Sequence, residues 1–140
     1  MKDFADLLGR VLISIIFFFE VYDTLGFWES TKDTMTAYNV TWNQDLILIV
    51  AITLLILGSI MVLIGYYANV GAFLLLLYLV PFTFIVFSFW NDDIDFRRVN
   101  SLGFARNLAI CGGLLILIAN GGAGRFSIKR MVHVLRLPKE

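Results

Sequence analysis

Four runs of apolar residues stand out along the chain, at about 7–27, 45–65, 69–90 and 102–120. Each approaches the roughly 20 residues that a helix needs to cross the hydrocarbon core of a bilayer, so each is expected to be a membrane span. Polar positions collect between them. Glu29–Gln44 is a polar stretch with Trp28 and Trp42 at its margins, the pattern of an interfacial loop between aromatic anchors. Only Tyr66-Tyr67-Ala68-Asn69 separates the second and third runs, so those two spans must form an antiparallel hairpin. Asn91–Ser101 carries Asp92, Asp93, Asp95, Arg97 and Arg98 and reads as a charged surface loop.

Beyond Gly121 the period changes. Ile128, Met131, Val132 and Leu135 recur at helical spacing, with Lys129, Arg130, His133 and Arg136 on the other side. This predicts a basic amphipathic helix over about 127–137, capped by Ser127, stopped at Pro138 and lying on the inner membrane surface, where its basic side meets anionic lipid. The expected architecture is thus an all-α membrane protein: a four-transmembrane-helix antiparallel bundle with a C-terminal amphipathic interfacial helix, in one domain over 1–140.

Composition agrees with this pattern and narrows the chemistry. The 140 residues are 59% hydrophobic and 16% charged, with a mean hydropathy of +0.83, more apolar than a soluble domain of that size can conceal. A formal net charge of zero gives no long-range attraction to nucleic acid. One cysteine excludes an internal disulfide, a CxxC pair and a thiolate-rich metal site, and one histidine cannot supply both axial ligands of a b-type haem. Cys111 is read as a packing residue and His133 as a surface residue, so no catalytic residue, no metal site and no intrinsic cofactor are expected. The first run leads into Glu20-Val-Tyr-Asp rather than the small residues of a cleavage site, and is read as a retained span. Lysine and arginine are denser on the side of the two termini, which places both termini in the cytoplasm.

Within the spans, small residues mark close approaches of backbone, because lipid offers helices no hydrophobic drive to associate. Ala51, Gly58 and Gly65 fall nearly on one face of the second span, and Ala109, Gly112 and Gly113 do the same service in the fourth. Pro81 lies inside the third span and should kink it, freeing a carbonyl that Thr83 or Tyr78 would help satisfy.

The first span is the anomaly, since it carries Arg10, Glu20 and Asp23. At 100° per residue Asp6, Gly9, Arg10, Ser14, Glu20, Asp23 and Thr24 share about half of its circumference, with Phe18, Phe19 and Tyr22 opposite. Arg10 is near the cytoplasmic end and can snorkel to the interface. Glu20 lies about 10 Å below Phe27 by the helix rise, too deep for its short side chain to escape easily. Arg106 in the fourth span lies roughly 6 Å below Leu102, at similar depth. An ion pair between Glu20 and Arg106 is therefore expected, either fixing helix register or, with Asn107 and Asp23, forming a polar outer-leaflet pocket for a ligand headgroup or a proton.

Arg10 with its aromatic-rich span, the Gly58 to Gly65 helix, the run Phe104–Gly113 (FARNLAICGG) and the Gly124-Arg-Phe-Ser-Ile segment resemble the DoxX family of four-helix bacterial inner-membrane proteins. The resemblance covers nearly the whole chain and is most specific at 104–113. It implies a four-helix bundle in a bacterial inner (cytoplasmic) membrane, in a group whose named members include small subunits of a thiosulfate:quinone oxidoreductase and partners of membrane redox complexes. The chain departs from the family pattern at Val21 and Thr24, where Gly and Lys are usual, at Leu55, where a glutamate is common, and at Phe87 or Ser88, where a histidine is common. With the Leu55 carboxylate missing, Glu20 is expected to have taken over as the acidic partner of Arg106.

The reading of function that follows is a small accessory subunit of a quinone-linked membrane redox system, with the lipid bilayer and a redox partner protein as its surroundings and quinone as the small molecule at its pocket. The contrasting reading is a non-catalytic assembly protein in which the buried ion pair is purely structural. Transport of a small solute or proton ranks third, because four short helices leave little room for a pathway without homo-oligomerisation.

Overall fold

The computed structural model describes residues 2–88, 90 and 93–121, and the amphipathic helix expected over 127–137 lies outside that range. Five α-helices follow one another: α1 Lys2–Gly26, α2 Trp28–Ala37, α3 Gln44–Ile64, α4 Ala68–Val86 and α5 Ile94–Ala119. Among the described residues three of them, α3, α4 and α5, are both long and apolar enough to cross a membrane. α1 is also of spanning length but is richer in charge.

Two expected loops are helical. The polar 29–44 stretch folds largely into α2, where Thr31, Thr34 and Thr36 each turn their hydroxyl back onto the carbonyl four residues earlier. Glu29 pairs with Lys32 one turn on. The charged connection after Trp90 is short, because α5 begins at Ile94 rather than near residue 102. Asp93 and Asp95 sit at its start, where negative charge complements the exposed N–H groups, and no glycine or proline interrupts it until Gly103. The third span ends at Val86, short of the expected residue 90.

The strongest seam joins α3 to α4 across the tight Gly65–Tyr67 turn. Leu48, Ile52, Leu55 and Val62 are buried on α3 and Ala68, Ala72, Leu75 and Leu79 on α4, and Ile52, Leu55 and Val62 share one core with Ala72, Leu75 and Leu79. At its centre Gly58 and Gly71 face each other. A Cβ on Gly71 would lie 2.7 Å from Met61 Cβ and 2.8 Å from the Gly58 carbonyl oxygen, so the backbones touch there only because both residues lack side chains. Gly65 has a different role from the expected seam: at φ 75° it closes α3 in the left-handed conformation that starts the turn. Gly112 is not at a seam either, because a Cβ there would meet open space, and a Cβ on Gly113 would make an ordinary contact with Ile13 Cδ1 at 3.5 Å. The glycine that closes the α4–α5 seam is Gly103, where a Cβ would collide with the Phe87 ring. One turn further, Asn107 Nδ2 donates to Thr83 Oγ1 at 3.0 Å.

α1 is held to α3 by polar bonds. Arg10, expected to snorkel, is instead buried at 1% exposure. Its Nε donates to Asp6 Oδ2 at 3.0 Å, and its Nη1 donates to the Leu63 carbonyl of α3 at 3.4 Å. One turn deeper, buried Ser14 donates to the Ser59 carbonyl at 3.2 Å. The turns above carry apolar Phe17 and Val21 into the common core with Cys111, Leu114 and Leu117 of α5. Near Pro81, Thr83 donates to the Leu79 carbonyl and Tyr78 reaches Glu20, so neither side chain serves the Leu77 carbonyl that proline leaves without its usual donor.

Two outcomes follow for stability in detergent. Gly71→Ala separates α3 from α4 and costs about 1–3 kcal/mol, whereas Gly112→Ala stays within about 0.5 kcal/mol of the parent; reversible unfolding followed by circular dichroism compares the two. Arg10→Met strips Asp6 of its buried partner and costs about 2–4 kcal/mol, much of which returns in the Asp6→Asn, Arg10→Met double variant. Equal losses in the single and double variants would show that the pair does not couple.

A candidate ligand groove between α1, α2, α3 and α4

The face of α1 that carries Arg10, Ser14, Phe17 and Val21 packs inward, and Glu20, one residue before Val21, is turned about 100° aside from it toward α4. There the Tyr78 hydroxyl donates to Glu20 Oε1 at 3.2 Å. This contact sits in the wall of a half-open cavity of about 520 Å³ bounded by the C-terminal parts of α1 and α4 and the N-terminal part of α3 and flanked by α2. Leu48, Ile52 and Leu55 supply its apolar floor, Pro81 and Phe82 extend its α4 side, and Asp23 and Thr24 continue the polar end from Glu20 toward α2. The Tyr78 and Phe82 rings stack there with centroids 5.4 Å apart and planes inclined by 20°.

α2 buries no residue fully; Trp28 packs partly buried against the core, and charge and hydrogen bonds clamp the helix over this groove. Asp45, in the first turn of α3, accepts from Trp28 Nε1 at 3.1 Å and lies 3.3 Å from Lys32 Nζ. Gln44 Nε2 donates to Thr36 Oγ1 and to the Val40 carbonyl, both at 2.8 Å. Glu29 and Asp45 together raise the Lys32 ammonium above the ordinary lysine range by accepting its hydrogen bonds. Of the two expected aromatic anchors, Trp28 belongs to this clamp and Trp42 is exposed.

The expected Glu20–Arg106 pair does not form. Arg106 is exposed, lines no part of the groove, and has no carboxylate within ion-pair distance among the described residues. The reason is azimuth rather than depth. The inward face of α5 is set by Gly103, Asn107, Cys111 and Leu114, and Arg106 is rotated about 100° from Asn107. Small residues at 109 and 113 pointed to the wrong face as the packed one. Asn107 is likewise absent from the groove, being spent on Thr83. Of the four residues expected at the pocket, Glu20 and Asp23 line it and Arg106 and Asn107 do not; Arg10, expected at the cytoplasmic side, lies at the opposite end of α1, and Ala51, expected at a packing seam, joins the groove wall. Tyr78 is the residue whose part sequence reasoning missed. Its signal was a tyrosine inside an apolar run, a hydroxyl that needs a partner when buried.

Comparison with known proteins gives a consistent placement. Over 129 residues the chain is 33% identical to the Surfeit locus protein 4 homolog of Schizosaccharomyces pombe, matching 91% of this chain but 37% of that protein, so the chain spans little more than a third of that relative. Over 133 residues it is 29% identical to the inner membrane protein YqjF of Escherichia coli, with 95% of both chains covered. No solved structure matches. The DoxX family profile matches residues 5–88, more than half of the sequence and all of α1 to α4 from Ala5 onward. The chain belongs to the DoxX family.

Proposed function

We propose that this protein is a four-span inner-membrane protein that binds a membrane-soluble small molecule in the groove, as a small accessory subunit of a quinone-linked redox system. The observation that carries this reading is the Glu20–Tyr78 contact at the edge of a largely apolar cavity open enough to take a ring and part of a chain. Tyr78 donates to one carboxylate oxygen of Glu20, which leaves the other to accept from a ligand hydroxyl. A quinol supplies that hydroxyl, and its isoprenoid chain suits the Leu48, Ile52 and Leu55 surface. α1 is the fourth span in this reading: its polar residues face α3 and the groove, while Leu12, Ile15, Phe19 and Tyr22 are exposed to lipid. Electron transfer itself belongs to a partner protein. YqjF carries an inner-membrane name and matches over 95% of both chains, which supports the same location here; the excess of lysine and arginine on the side of the termini supports placing both termini in the cytoplasm.

The assembly reading has its own observation: buried Arg10 pairs with half-buried Asp6 on α1 and donates to the Leu63 carbonyl, a structural tie of α1 to α3 that is compatible with a groove at the other end.

Purification from quinone-replete membranes in mild detergent, followed by mass spectrometry, tests the ligand. Wild type retains quinol, and Glu20→Ala lowers retention by about tenfold or more, as loss of a hydrogen bond to a charged group does. Ala51→Trp, which fills the groove, lowers it without touching the carboxylate. Wild type that carries no quinone, or equal retention in all three, would sink the reading. Orientation is read by thiol labelling in a Cys111→Ser background: Asp33→Cys reacts with an impermeant reagent in intact cells, and Asp3→Cys reacts only after the membrane is opened.

A further inference from the structure

The polar end of the groove has a charge character that a neutral headgroup does not use. Two carboxylates one helical turn apart, Glu20 and Asp23, line it together with four aromatic rings, Phe27, Tyr38, Tyr78 and Phe82. Among the described residues no lysine, arginine or histidine lines it. The nearest basic group on the covering helix, Lys32, is already held by Glu29 and Asp45, and Arg106 lies outside. The only polar contact of Glu20 among the described residues is with the neutral Tyr78 hydroxyl. Acids among aromatic rings, with no positive side chain beside them among the described residues, are surroundings in which an ammonium group gains both from charge and from the ring quadrupoles. The same acids repel a phosphate, so an anionic phospholipid headgroup is a poor fit. Below the polar end the cavity is apolar, which requires the cation to carry an alkyl chain.

We propose that the groove binds single-chain ammonium amphiphiles, the cation lying between Glu20, Asp23 and the rings of Tyr78 and Phe82, and the chain lying along Leu55 toward the α3–α4 seam. This rests on the groove being a ligand site, as in the proposed function, and does not require that its ligand be a quinone.

The test uses the full chain in nanodiscs of neutral lipid and three photoactivatable C12 probes that share one tail: a trimethylammonium, an alcohol and a phosphate. Competition curves give relative affinity, and peptide mapping gives the site. The expected result is labelling of the Glu20–Phe27 and Leu77–Val86 segments, with the ammonium bound at least about tenfold more tightly than the alcohol and the phosphate weakest. In the Glu20→Gln, Asp23→Asn double variant the alcohol continues to bind and the ammonium preference falls to about twofold or less, which also shows that the variant is folded. Equal binding of ammonium and alcohol, a preference for phosphate, or a preference that survives the double variant overturns this inference and leaves the quinol reading standing. Absence of any groove labelling by all three probes overturns both.

Discussion

The structure depends first on the seating of α1 against α3. In a bilayer, apolar helices gain little from leaving lipid for one another, and α1 is the helix with most to lose from facing lipid on all sides. Arg10 resolves this by turning inward, where Asp6 offsets its charge and the Leu63 carbonyl takes a further N–H. Ser14 adds a second bond to the α3 backbone one turn deeper. These bonds fix the rotation of α1 about its axis, and that rotation decides which residues the helix offers to the rest of the bundle.

Once α1 is fixed at that end, the far end follows. Phe17 and Val21 continue the inward face into the core, so Glu20 and Asp23 flank that face on the side of α3 and α4 and do not reach α5. The Gly58–Gly71 approach holds α3 and α4 as a unit against which α1 is set. α2 then covers the gap through Asp45, Lys32, Trp28 and Gln44. A cover held by exposed polar groups contributes little to stability, as exposed ion pairs generally do.

Much of this was readable in the sequence, and the errors share one physical origin. Apolar periodicity located α3 and α4 and the hairpin between them, because a span must present apolar residues around most of its surface. The same criterion hid α2 and the first two turns of α5, since short helices outside the apolar runs are held by side-chain bonds and terminal charge rather than by hydrophobic pattern. Small residues were an ambiguous guide. Gly58 faces Gly71 at a real contact, Gly65 closes a turn, and Gly112 meets none of the described residues, though all three look alike in a sequence.

The sequence by itself determined that the chain is a helical membrane protein of the DoxX family, that α1 would carry costly polar groups, and that Glu20 was the acid too deep to ignore. Only the tertiary structure decided its partner. Helix rise sets depth from the sequence alone, and on depth Arg106 was the natural match. Azimuth is set by neighbours: Gly103 against Phe87 and Asn107 on Thr83 turn Arg106 outward, while Arg10 on Leu63 turns Glu20 toward Tyr78. A pair of residues meets only when both coordinates agree, and the second of them exists only once the helices have packed.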